Sequence, residues 1–194
     1  EDRSEDTLRL GMSVGLPYMR TKAAAERVIE KSGVPYTLLR PPAVLGPGDT
    51  VISAGFDEAL SGAGVPLLPG ARPDRRVSLA LVDGVVELTC RALARGPLAG
   101  AVHAVDLSLR LDQLTELYAR ALGKEPRFAH IPWSTALARS QDAGFSWLVA
   151  SARFGQHYST ARLASTFDWA PRDDHEQAVA AAVSGLQGRA ASLS

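Results

Sequence analysis

Apolar and polar positions change period along the chain, and the changes mark out its elements. Residues 18–32 are rich in Ala, Arg, Glu and Lys and free of Gly and Pro, with Ala24, Val28 and Ile29 able to share a face. This predicts a helix that stops at Gly33. Residues 34–40 form a short β-prone run between Gly33 and Pro41-Pro42, which predicts a buried strand close behind that helix. PPAVLGPGD reads as a stiff loop, 52–61 as a shorter helix, and SGAGVPLLPGARPD as an irregular surface stretch. Weak alternation over 76–81 leads into a helix from about 82 to 94. Residues 101–105 predict a second buried strand, 111–122 an amphipathic helix and 128–131 a brief strand. Beyond Pro132 the chain reads as helical, interrupted near 168–174, while 1–17 read as a loop. Strands alternating with helices give an α/β fold class.

Composition narrows the partners more than the fold. The chain has 194 residues, 46% hydrophobic, with Lys+Arg and Asp+Glu both 21. No net field holds it on nucleic acid or anionic lipid, so neither is an expected partner. No apolar run reaches the length of a membrane span, and the acidic EDRSEDTLRL does not resemble a secretory signal, so a cytoplasmic location is expected. The single Cys90 can form no internal disulfide, and its apolar helical setting predicts a small core residue.

Two catalytic patterns compete near the start. Gly11-Met12-Ser13-Val14-Gly15 spells the G-x-S-x-G of a serine hydrolase, and Tyr18-Met19-Arg20-Thr21-Lys22 spells Y-x-x-x-K. A nucleophile elbow needs a strand, a sharp turn at Ser and a helix beginning at once. Residues 7–10 make a poor buried strand, Pro17 interrupts the turn, and His103, His130, His157 and His175 sit in no diagnostic pattern. A hydrolase acting through Ser13 is therefore disfavoured. Tyr18 and Lys22, four apart on one helix face, can meet a shared ligand. A phenol of pKa about 10 is a poor acid/base at neutral pH, but a neighbouring ammonium favours its phenolate. Y-x-x-x-K alone is a weak pattern, equally satisfied by an exposed aromatic–cation pair.

The surrounding sequence YMRTKAAAERVIEKSGVPYTLLRPPAVLGPGD resembles the middle of the extended short-chain dehydrogenases/reductases, the NAD-dependent epimerase/dehydratase and 3β-hydroxysteroid-dehydrogenase-like group. There a Y-x-x-x-K helix, with a Glu after it, precedes a strand ending in R-P-x-x-V-x-G-P-G-D. RVSLALVDGVVELTCRAL resembles the family's strand into its V-D-D helix, GAVHAVD its last sheet strand, and STARLASTFDWAPRDDHEQAVAAAV its ending. The resemblance implies the C-terminal part of a Rossmann-type parallel sheet, its last two strands, plus a mainly helical substrate-binding lobe. It divides the chain into 1–50 with the active-site helix and penultimate strand, 51–98 as a substrate-lobe insertion, 99–106 as the last strand, and 107–194 as the C-terminal lobe.

The same resemblance implies NAD or NADP as cofactor, Tyr18 as general acid/base and Lys22 as the residue that lowers its pKa and binds the nicotinamide ribose. Pro41 and the backbone of Val44 become cofactor contacts, although PPAVLGPGD can also be a rigid connection alone. Arg76 stands near a substrate diphosphate-binding position, and a solvent-facing Arg fits it equally well. The implied substrate is a small alcohol or ketone, or a nucleotide sugar, with the former preferred; a homodimer is one assembly open to the group.

Three departures qualify this. No G-x-x-G-x-x-G occurs in the chain, neither Ser4 nor Ser13 matches the family's catalytic Ser/Thr, and the second Asp of V-D-D is Gly84. The expectation is a C-terminal portion that is inactive without its nucleotide-binding half, active as an oxidoreductase or epimerase with it. The alternative is a cofactor-free remnant that binds a ligand or partner, and the upstream reading frame discriminates the two.

Overall fold

The computed structural model describes residues 17–192, with side chains from 20 to 185. In chain order it contains α1 (Pro17–Lys31), β1 (Thr37–Arg40), β2 (Ala43–Leu45), α2 (Ile52–Ser61), β3 (Val65–Leu67), β4 (Arg76–Leu81) and α3 (Val82–Arg95). There follow β5 (Gly100–His103), β6 (Leu107–Arg110), α4 (Leu111–Leu122), β7 (Phe128–His130), α5 (Trp133–Ala138), α6 (Ala143–Phe154), α7 (Ala161–Phe167) and α8 (His175–Ser192). Among the described residues no helix is long and apolar enough to cross a membrane.

β1 and β5 are parallel neighbours, with Leu39 opposite Val102 and Arg40 opposite His103. They are joined through α3, the connection that a parallel pair requires. Val102, Ala104, Leu88 of α3, and Leu163 and Phe167 of α7 form the apolar cluster that covers this sheet. α2, β2–β4, β6, α4 and α8 belong to a lobe built on a second, larger cluster, which unites Leu45, Phe56, Val77, Leu79, Leu107, Leu114, Tyr118 and Val183 among others. α4 buries Leu111, Leu114 and Tyr118 at helical spacing and stops at Gly123, whose left-handed φ of 66° suits glycine. α2 starts where Asp49 accepts three backbone N–H groups, from Val51 (2.9 Å), Ile52 (3.1 Å) and Ser53 (2.7 Å). The end of GPGD is thus a helix cap as well as a turn.

Expectation and structure part in the lobe. α2 and α4 run as read, but beyond Pro132 the helical stretch also breaks at 139–142 and 155–160, and the lobe holds a mixed sheet β2–β4–β6 and a parallel pair β3–β7. Val65, Pro66 and Leu67, placed by their Gly/Pro-rich surroundings in a surface stretch, are all buried and paired with Phe128, Ala129 and His130. Proline is tolerated there because a two-stranded sheet has only edge strands. β2, three residues long, lies inside PPAVLGPGD, read as a loop, and β6, four residues long, lies between the strand and the helix read at 101–105 and 111–122. β1 is half-buried along its length rather than buried. Cys90 is exposed rather than in the core: α3 buries Gly84 and Leu88, and a residue two positions past Leu88 points to the opposite side.

Candidate active site

α1 runs without a break through positions 18 and 22, which places them one turn apart on one face. Tyr18 lies in its first turn, and the Tyr18 side chain, like Ser13 and Ser4, is outside the described residues. Lys22 is exposed. One turn further, Glu26 makes a two-pronged ion pair with Arg40 at the carboxyl end of β1, Nε donating to Oε1 at 2.8 Å and Nη2 to Oε2 at 2.6 Å. Their side chains are only 14% and 9% exposed, so the pair fixes α1 to the strand in one rotation and register. Because the next residue is Pro41, the same pair sets where Pro41–Val44 begins. Glu26→Gln should cost roughly 1.5–3 kcal/mol, the range for a hydrogen bond to a charged group, seen as a lower urea midpoint.

Pro41 is exposed, and Val44 is 37% exposed at the centre of β2. Ala80 of β4 lies opposite Val44. Period-2 alternation divides β4: Val77, Leu79 and Leu81 enter the lobe core, whereas Ser78 and Ala80 share the face that carries Val44. A polar group gathers beside this row. His157 Nδ1 lies 3.3 Å from Ser78 Oγ and 3.0 Å from Ser108 Oγ, and Ser78 Oγ accepts the Tyr158 backbone N–H at 3.1 Å. The direction of the two Nδ1 hydrogen bonds is set by the His157 tautomer, which Ser78 and Ser108 can each meet as donor or as acceptor. The Tyr158 ring lies 4.8 Å from that of His103, at the carboxyl end of β5. Arg76 begins β4, four residues or about 13 Å from Ala80; its Nη2 donates to the Ser108 carbonyl at 2.9 Å. Pro41 thus directly follows the carboxyl end of β1 and Val44 lies three residues on in β2, whereas Arg76 stands at the opposite end of β4 from Ala80, the partner of Val44. Ser78, Ser108, His157 and Tyr158 carried no sequence signal, since the fold alone brings such distant positions together.

The buried tyrosine is unsuited to proton transfer. Tyr118 stacks on Phe56 at 4.1 Å, and its hydroxyl shares a 3.0 Å hydrogen bond with Ser53. Burial pushes its phenol well above the usual range, with the Ser53 bond opposing.

The departure at Gly84 has a steric cause. A Cβ built there would overlap both carboxylate oxygens of Asp106, so a side chain on α3 at this position and the Asp106 carboxylate cannot occupy their places together.

Residues 1–89 match an NAD-binding family model described as male sterility protein. A ceramide reductase from Caulobacter vibrioides is 31% identical over 119 residues, 59% of this chain and 36% of that protein. The structure of RMD from Pseudomonas aeruginosa complexed with NADPH is similar with a TM-score of 0.65 at 20% identity, covering 90% of this chain and 57% of that one. A nucleoside-diphosphate-sugar epimerase from the same organism gives a TM-score of 0.68 at 17% identity, covering 91% and 57%. The chain thus spans little more than a third of the reductase and under two thirds of each solved chain. These likenesses agree with the resemblance drawn from the sequence: the fold is that of the extended short-chain dehydrogenases/reductases, over part of their length.

Proposed function

We propose that these residues are the acid–base and substrate half of an NAD(P)-dependent oxidoreductase that interconverts an alcohol and a ketone, with a second half supplying the nucleotide site. The observation that carries this is the Glu26–Arg40 pair, which keys the Tyr18/Lys22 helix to the strand end that continues into Pro41–Val44. Ligands of open α/β sheets bind beyond the carboxyl ends of the strands, where Pro41 and Val44 are exposed. The nicotinamide end of a dinucleotide fits this edge; its pyrophosphate has no Gly-rich turn here to receive it. When bound, the cofactor accepts or supplies hydride at its nicotinamide ring. Tyr18 passes a proton to or from the substrate oxygen, Lys22 favours the phenolate and hydrogen-bonds the ribose, and the proline-fixed backbone presents its amide groups.

The division at residues 50, 98 and 106 belongs to the same proposal, as does Arg76 as a contact for the distal end of the substrate. The name of the 31%-identical relative supports a reductase acting on a hydrophobic molecule, ahead of the sugar epimerisation named for a fold neighbour at 17%. A homodimer and a cytoplasmic location belong to the same proposal.

The test is NADH or NADPH oxidation by the full-length protein against hydrophobic ketones, with nucleotide sugars as the contrasting set. Ketone-dependent oxidation is expected. Sugar epimerisation without net cofactor change would replace reduction by the epimerase form of the chemistry, and activity with neither set would contradict the proposal. The 194-residue chain alone should show no micromolar affinity for either nucleotide. Such affinity, measured by calorimetric titration, would mean that the pyrophosphate is held without the Gly-rich turn.

A further inference from the structure

The chain passes between the β1–β5 sheet and the lobe at five places: 40–43, 81–82, 103–107, 154–161 and 167–175. Asp106 binds three of them together. Its backbone N–H donates to Leu79 O at 2.9 Å, its carbonyl accepts from Arg172 N at 2.6 Å, and its Oδ2 accepts from Leu81 N at 2.7 Å. Leu81 is the N-cap of α3, so the carboxyl group also closes the start of that helix from a distant part of the chain. The residue is 2% exposed, and its Oδ1 has no hydrogen-bond partner among the described residues. Only a glycine at 84 leaves room for it.

A buried carboxyl with one oxygen satisfied and one not is poorly matched to a negative charge. Neutralised, it keeps the bond from Leu81 and loses the charge. We propose that Asp106 is a proton-operated latch: neutral, it holds the three crossings together, and ionised, it loosens them, so that the lobe moves more freely against the β1–β5 sheet. The latch rests on the junction and not on the reaction assigned above.

The charges around it are known from each element that packs there. Asp83 and Glu87 on α3 disfavour ionisation; Arg172, which pairs with Asp174 and reaches Asp83 Oδ2 at 3.2 Å, favours it. His103, three residues earlier on the same crossing, packs against Tyr158. Burial is the largest influence and raises the Asp106 carboxyl above the ordinary carboxylate range, against the Leu81 N–H. Between the ordinary value and that raised one the folded chain holds a proton that the unfolded chain has released. Stability therefore falls as pH rises through that window and is complete below it.

Hydrogen exchange on the full-length chain decides the matter. Protection factors at the Leu81, Asp106 and Arg172 amides, corrected for the intrinsic rate at each pH, should fall tenfold or more as the Asp106 side-chain carbon titrates, while Val102 stays constant. Asp106→Asn, which keeps an acceptor for Leu81 and carries no charge, should hold all three constant. Constant protection in the wild-type chain across that titration overturns the latch, as does an equal fall in Asp106→Asn. Should that variant not fold, the wild-type profile against the Asp106 carbon shift still gives the answer, and Asp83→Asn, which leaves Asp106 in place, should retain the fall.

Discussion

Tyr18→Phe in the full-length protein should lower turnover by roughly 10²–10⁴-fold, the contribution of a positioned acid/base, with cofactor affinity little changed. The substitution removes one titrating oxygen and keeps the ring. Lys22→Met should act on both quantities, since it loses the charge that favours the phenolate and the bond to the ribose. Residual activity should then shift to higher pH. Ser13→Ala should be nearly silent, because an elbow needs a strand before the Ser and residues 7–10 make a poor one. Steady-state kinetics of the three variants separate the two patterns at the start of the chain. A protein disabled by Ser13→Ala and indifferent to Tyr18→Phe would be a hydrolase.

Gly84→Asp, which writes the V-D-D pattern of the resembled family into this chain, should destabilise it by about 3–5 kcal/mol, the cost of leaving an uncompensated charge in the interior. The new Cβ would meet the carboxylate of Asp106, itself buried beneath the start of α3, and would set a second carboxylate beside it. Either α3 shifts away, breaking the Leu81 bond, or the two groups share a proton. Urea unfolding should show the loss as a lower midpoint at unchanged slope. Asp106→Gly in the same chain should recover most of it, because the obstacle leaves with the carboxylate. A Gly84→Asp protein within about 0.5 kcal/mol of wild type would show that the junction has slack that the geometry does not suggest.

What the sequence revealed, and what it hid, follows from the range of each signal. The helices 111–122 and 52–61 were legible because their periodicity and terminal glycines are local, and the structure places them at those residues. β1 was legible as an apolar run between a glycine and a proline pair, and β5 as an apolar run that follows Gly100. β3 was missed because Val65, Pro66 and Leu67 owe their strand to Phe128, Ala129 and His130, more than sixty residues away, while their neighbours are turn formers. Cys90 was misplaced because an apolar helix read as a whole hides which residues oppose Leu88.

The site divides in the same way. Tyr18, Lys22, Glu26, Arg40 and Pro41 are close enough in sequence to form a pattern, and the Glu26–Arg40 pair is its structural counterpart. His157, Ser78 and Ser108 meet across separations of 79 and 49 residues, and a histidine, two serines and their spacing make no pattern. Gly84 was visible as a departure, but its cause lay in Asp106, twenty-two residues on, whose burial no local property announces.

The central claim is that the helix carrying Lys22 meets the nicotinamide end of a dinucleotide, and it can be tested without knowing the substrate. Titration of the full-length protein with NADH and NADPH, followed by energy transfer from tryptophan to the reduced nicotinamide, gives the dissociation constant directly. Saturable binding of at least one nucleotide is expected, weakened about tenfold or more by Lys22→Met, which corresponds to about 1.4 kcal/mol. A full-length protein that binds neither nucleotide, or binds one equally well with Lys22→Met, would contradict it.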